Sequence, residues 1–507
     1  MLKALGNLKP LHAPAFLLAM CLLCAFNAFS LTTADPDLWG HIKFGESAWQ
    51  EGALPSEENY SYTAPGHRWI NHEWLTEILF YKIFSIFGSG GLLVMKMLIG
   101  LFIVERLARL AFVKDKPRRN SACLIIIVLL TFILAPGFMP RPHLMTYIGI
   151  ALLTLSLGKA FQGNEKALIY IPIIFLFWVN MHGGVVAGLA IACVALGYGV
   201  VEKIRTDQAP GLWIATLAAT IAICLVNPYG YHLWNFFAQT LSVPRNITEW
   251  NGIPFDTMHF WQFKLYTILF IGLWLFDKKK WGWQVWVIAP AIYFAFKHQR
   301  HIPLAAILMA PYLIARISEL AETKFRLYTA SIHLHNGLLV GMLLFAGSQL
   351  GIGLMKNASA QFKLLAPPQT YPVYAARFMH SNDISGNLWN PLDWGEYLIW
   401  KTPGSRVSVD GRFRTAYPEE VIQDHFDFAS GQPGWQALLE KYPTELVLAR
   451  KRDGTHLRMN QLPGWVKIYE DLICVLYVKN DPRLALWERM KKGPFIRDES
   501  LPDFHFP

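Results

Sequence analysis

The chain has 507 residues, a formal charge of +10 and only 16% charged side chains. With 53% hydrophobic and 14% aromatic residues and a mean hydropathy of +0.28, it is too apolar for a soluble domain, where about a quarter of residues are charged. The basic excess reads as Lys and Arg gathered in cytoplasmic loops, not as a nucleic-acid footprint, and six cysteines, mostly inside apolar segments, exclude a disulfide framework.

Residues 14–33 form the first expected membrane span. Lys3 and Lys9 precede it and keep the N-terminus in the cytoplasm. The loop that follows is then extracytoplasmic and runs over about 32–90. Within it, Glu73 to Phe84 is apolar but short of the roughly 20 residues a span needs. It also carries Glu77 and Lys82, so it is expected to lie as a helix in the membrane interface.

Further spans are expected near 91–113, 121–138, 144–161, 167–181, 183–202, 211–226, 264–276, 283–297, 302–316 and 336–355. Basic clusters at Lys114 to Arg119, Lys203 with Arg205, and Lys278 to Lys280 fall on the inner side of this scheme. The expectation is an all-α polytopic domain over 1–355 with about eleven spans. After it, residues 356–507 alternate short strands and helices, which suggests an extracytoplasmic α/β domain.

The chemistry gathers after the first span, in Asp35-Pro36-Asp37-Leu38-Trp39-Gly40-His41. Two carboxylates at this spacing can divide the roles of general base and cation ligand. A cap on the following helix accounts for one aspartate, not for both. Asp35 and Asp37 are therefore the candidate catalytic pair. Asp37, His41, His72 and Glu73 offer a mixed nitrogen and oxygen set for Mg or Mn, and Glu249, in a later outer loop, is a second acidic contributor. Trp39, Tyr62 and Trp69 supply ring and hydroxyl surface suited to a sugar or acceptor.

Arg141 stands between Pro140 and Pro142 at an outer span end, and Arg300 with His301 stands at another. A guanidinium fork can bind two phosphate oxygens at once; the alternative is snorkelling to lipid headgroups. His182, in the tight turn Asn180-Met181-His182-Gly183-Gly184, is a further substrate candidate. So are Asp393, Asp410 and Arg412 at element ends of the C-terminal region, where turn chemistry is the competing explanation.

The first-loop pattern Asp35-Pro36-Asp37-x-Trp39-x-His41, continued by Tyr60-Ser61-Tyr62-Thr63-Ala64-x-Gly66-x2-Trp69-x2-His72-Glu73-Trp74-Leu75, resembles a bacterial family of C-type membrane glycosyltransferases. The resemblance extends to Trp178-x-Asn180-x-His182-Gly183-Gly184, Asn227-Pro228-x-Gly230, Arg300-His301-x-Pro303, Asp393-Trp394-Gly395-x-Tyr397-Leu398 and Asp410-Gly411-Arg412. The superfamily includes oligosaccharyltransferases, protein O-mannosyltransferases and aminoarabinose transferases. The resemblance implies an essential acid after the first span and a polyprenyl-phosphate sugar donor. It also implies transfer to an extracytoplasmic glycan, lipid or protein at a bacterial inner membrane, with inversion at the anomeric carbon. Oligosaccharyltransferases carry a second acidic motif in a later outer loop; here only Glu249 and Asp256 stand there. The rival is a non-catalytic or transport component of lipid-linked polysaccharide assembly. Transporters commonly carry internal repeats and broken helices at mid-membrane, and no fixed-period repeat is present.

Overall fold

The computed structural model describes residues 14–242, 248–278, 281–323 and 363–479, with helical positions at 341 and 347. The chain divides into two compact units: Met1–Leu31, Leu93–Tyr231 and Leu241–Gln361 form the first, and Thr32–Leu92, His232–Thr240 and Phe362–Pro507 the second.

The first unit is helical. Among the described residues, five helices of the chain are long and apolar enough to cross a membrane: Trp74–Ala111, Arg119–Gly137, His143–Phe161, Val185–Arg205 and Gln299–Glu322. This corrects the expected count of about eleven. Several apolar stretches yield helices well short of the roughly 20 residues needed. Pro14–Phe29 has 16 residues, Tyr170–Trp178 has 9, Gly211–Ile223 has 13, and Trp261–Leu275 and Trp283–Lys297 have 15 each. For one of them, local turn chemistry, which hydropathy does not register, follows the helix end. The Gly211–Ile223 helix gives way to a turn in which the Asn227 side chain accepts from the Tyr229 N–H at 2.9 Å. The expected span at 336–355 lies outside the described residues.

The expected interfacial helix and the span after it are two helical segments within Trp74–Ala111, separated by a kink at Gly88. There φ is 63° and ψ −161°, a conformation open to glycine and strained for other residues.

The second unit is an α/β layer built on a mixed five-stranded sheet. Its strands are β1 (Asn387–Trp389), β2 (Arg406–Val407), β3 (Leu446–Arg450), β4 (Trp465–Glu470) and β5 (Cys474–Lys479), in the order β2-β1-β3-β5-β4. β1 lies parallel to β2 and β3, whereas β5 is antiparallel to β3 and β4. Trp389, Phe428, Trp435, Leu439, Val447, Val475 and Tyr477 pack as its core.

The first loop belongs to this layer. Val407 donates to Tyr60 O at 3.1 Å and Tyr62 donates to Val407 O at 3.2 Å, so the loop extends the sheet edge at β2. A second bridge joins Thr33 to Leu365. The Leu38–Glu51 helix packs on the Gly395–Lys401 helix, and fully buried Trp39 meets Tyr371 and Tyr397 edge to face at 4.7 and 4.9 Å.

Candidate functional site

The loop aspartates start the Leu38–Glu51 helix. Asp35 Oδ1 accepts the Asp37 N–H at 3.0 Å. Asp37 occupies the N-cap position, yet its side chain makes no capping hydrogen bond. Its Oδ1 instead lies with Glu396 Oε1 beside Gly411, around the point that a Cβ on residue 411 would occupy. The capping explanation thus covers the backbone position of Asp37, while its carboxylate lies beside Glu396 and Gly411.

His41 sits one turn into that helix. Its Nδ1 is 3.0 Å from Glu77 Oε1 and 3.9 Å from Glu73 Oε2. Glu73 and Glu77, four residues apart, share one face as the Trp74–Ala111 helix begins. The helices approach closely here because residue 45 is glycine: a Cβ there would run into the Glu77 carbonyl. His41 is 7% exposed and Glu77 3%. Burial pushes the His41 pKa down, but the Glu77 hydrogen bond and the charges of Glu73, Glu77 and Asp37 outweigh it, and the net shift is upward.

One ligand atom from each of His41, Glu73 and Glu77 falls within 4.8 Å of the other two. A cation bonded at about 2.0–2.2 Å spaces adjacent ligands roughly 3–3.6 Å apart, near the 3.0 and 3.9 Å that separate His41 Nδ1 from Glu77 and Glu73, and one imidazole with two carboxylates suits Mn or Zn better than Mg, which favours oxygen alone. The three side chains fit a divalent cation. Of the expected ligands, His41 and Glu73 are in this group. His72 borders it, with Nε2 3.6 Å from Glu73 Oε1 and its ring against Phe236 and Phe237. Asp37 contributes charge to His41 and neighbours Glu396. Glu249 lies in the first unit with Arg141.

Beside this group is a buried carboxylate cluster. Asp410 accepts from Arg412 Nε at 2.9 Å and Nη2 at 2.6 Å, and from Tyr417 Oη at 2.6 Å. Arg412 also pairs with Glu58, and its guanidinium faces the rings of Phe44 and Trp69 at 4.5 and 4.6 Å. Glu396, 2% exposed, leaves Oε2 without a hydrogen-bond partner. Burial first, then Asp37 and Asp410, push its carboxyl well above the ordinary glutamate range, against the pull of Arg412.

The remaining candidates in this unit are distributed as follows. Tyr62 is buried with its hydroxyl 2.9 Å from Thr444 Oγ1. Trp69 packs on Phe44. Asp393 accepts from Arg450 at 2.5 Å through both oxygens.

In the first unit, Arg141 Nη1 donates to Glu249 Oε1 at 2.7 Å. Arg300 lies over the Trp250 ring at 4.8 Å. His301 faces the same ring at 6.2 Å, and His298 Nδ1 bonds Trp250 O at 2.7 Å. The side chains expected to hold phosphate therefore gather around Glu249 and Trp250. Burial works to raise the Glu249 pKa, but Arg141 and Arg300 hold it below the ordinary range. His182 Nδ1 is 2.7 Å from Thr146 Oγ1 and accepts the Gly184 N–H at 3.0 Å.

Sequence reasoning missed Glu77, Glu58, Asn71 and Glu396 as site residues. The Glu73-x3-Glu77 spacing at a helix start was the available signal for Glu77, since positions four apart share a helix face. Glu58 and Glu396 carry no local signal; their partners come from distant parts of the chain.

No family model matches the chain, and no curated protein matches it. Among solved structures, the crystal structure of the Archaeoglobus fulgidus oligosaccharyltransferase in the apo form is similar at a TM-score of 0.58 and 12% identity, over 86% of this chain and 69% of that one. The same protein in complex with zinc and sulfate aligns at a TM-score of 0.49 and 12% identity, over 91% and 73%. The apo likeness shows a fold shared with that oligosaccharyltransferase structure and nothing finer.

Proposed function

We propose that the protein is a membrane glycosyltransferase that moves a sugar from a polyprenyl-phosphate donor to an extracytoplasmic acceptor. The observation that carries this reading is the convergence of His41, Glu73 and Glu77 beside Asp35 and Asp37. A general base and a candidate cation site thus share one buried, carboxylate-rich layer, in a fold similar to that of an oligosaccharyltransferase.

In this reading Asp37 takes the proton from the acceptor hydroxyl. Asp35 fixes the backbone of Asp37 through the hydrogen bond to its N–H. The acceptor oxygen attacks the anomeric carbon as the bond to the phosphate oxygen breaks, with inversion. A divalent cation held by His41, Glu73 and Glu77 would supply positive charge to the reaction. Within the first unit, Arg141, Arg300 and His301 are the groups we assign to an anionic phosphate. In the second unit, an acceptor contact is assigned to Asp393. The N-terminus is placed in the cytoplasm and the α/β layer on the outer side of the membrane.

Mass spectrometry of glycolipids and surface glycans from a deletion strain, complemented with wild type or Asp37→Ala, tests this. A saccharide restored by wild type alone supports the enzyme. Restoration by both moves the assignment to a binding or transport component.

A further inference from the structure

Asn71 is 2% exposed and touches two of the three members of the His41 group. Its Nδ2 donates to Glu77 Oε2 at 2.5 Å. Its Oδ1 accepts the Glu73 N–H at 3.1 Å. The other Glu77 oxygen, Oε1, is the one that faces His41 Nδ1 at 3.0 Å. The orientation of the amide is settled by its partners: a backbone N–H can only donate, and an ionised carboxylate can only accept. No other side chain of this size offers one donor and one acceptor at these two positions.

We propose that Asn71 is the positioning residue of the His41–Glu73–Glu77 cation site. It holds Glu77 so that a single oxygen faces His41, and it sets the turn from which Glu73 enters the helix. One amide therefore fixes the register of both carboxylate ligands. The inference rests on the reading that this group holds a divalent cation. Without Asn71, Glu77 is free to turn its carboxylate and Glu73 loses the turn that sets its direction. Partners of this kind typically change metal affinity by about 10- to 100-fold.

The test uses the full chain in nanodiscs, with Mn²⁺ alone as the probe, read by calorimetry and electron paramagnetic resonance. Asn71→Ser keeps a short acceptor suited to the turn and cannot reach Glu77. The expected result is Mn²⁺ affinity weakened about 10- to 100-fold at an unchanged unfolding temperature. Wild-type affinity in Asn71→Ser overturns the role of Asn71. If serine costs the fold, Asn71→Asp keeps the size and the turn acceptor but lacks the donor. An altered Mn²⁺ spectrum is then expected, and a wild-type spectrum overturns the role. Absence of Mn²⁺ binding by the wild type itself overturns the cation reading, and the role of Asn71 falls with it.

Discussion

Arg412 and Glu58 form an ion pair inside the second unit, where Glu58 has no exposed surface and Arg412 is 8% exposed. The same guanidinium grips Asp410 through two hydrogen bonds. One cation thus balances two carboxylates, one from the first loop and one from the turn three residues after β2. Desolvation makes each of these charges expensive alone, so the pair ties the loop to the α/β layer.

Removing the cation strands both acids. Arg412→Met should destabilise the protein by about 3–5 kcal/mol, the usual cost of breaking a buried pair from one side. Arg412→Lys should rescue only in part, because an ammonium cannot reproduce the fork that meets Asp410. Thermal unfolding of the two variants checks the order. A methionine variant as stable as wild type would show that the clasp is dispensable.

Glu396 gives stability a dependence on pH. Its folded-state pKa lies well above the ordinary value of 4.5, so the folded protein binds this proton more tightly than the unfolded chain. The contribution is present below the unfolded pKa and is lost as pH rises toward the folded one. In that window the loss approaches about 1.4 kcal/mol per pH unit. Glu396→Gln, which keeps the neutral shape, should flatten the slope and be more stable than wild type at neutral pH. Unfolding midpoints between roughly pH 5 and 8 measure this, and parallel slopes for the two proteins would count against it.

Gly40 is required by the same carboxyl. A Cβ on residue 40 would overlap Glu396, and a 2% exposed side chain has nowhere to retreat. Gly40→Ala should therefore cost about 1–3 kcal/mol, as overpacking does. In the background of Glu396→Ala the same change should cost much less. A double-mutant cycle isolates the coupling, and additive costs would show that the overlap is relieved elsewhere.

Much of the layout was legible in the chain. The acidic stretch after the first apolar segment and the α/β character of the C-terminal region are composition and pattern, and both reappear in the fold. The cation group was half legible: His41 and Glu73 stand in the motif, whereas Glu77 was read only as a polar residue that shortens a span. Glu396 and Glu58 were not legible. Their significance depends on Gly411, Asp37 and Arg412 arriving from elsewhere in the chain, and no periodicity encodes that. The number of spans is not legible because an apolar run marks a helix without fixing its length, as at Gly211–Ile223, where a 13-residue helix gives way to the Asn227 turn.

Around Trp250, Arg141 is paired with Glu249. On the proposed assignment of Arg141 to a phosphate donor, the phosphate must displace a carboxylate that already accepts from this guanidinium. Arg141 and Arg300 hold Glu249 ionised, so the competition persists at neutral pH. Loss of a charged hydrogen bond is worth about 1.5–3 kcal/mol, so Arg141→Ala should raise KM for the polyprenyl-phosphate sugar by about 10- to 150-fold. Arg300→Ala should act in the same direction, while its absence leaves the Trp250 face without its cation. Glu249→Gln should do the reverse and lower KM, because the amide competes for Arg141 far more weakly than a carboxylate. Steady-state kinetics against donor concentration separate the cases. An increase in KM for Glu249→Gln would assign Glu249 to substrate or cation binding, in place of the competing role argued from its contact with Arg141.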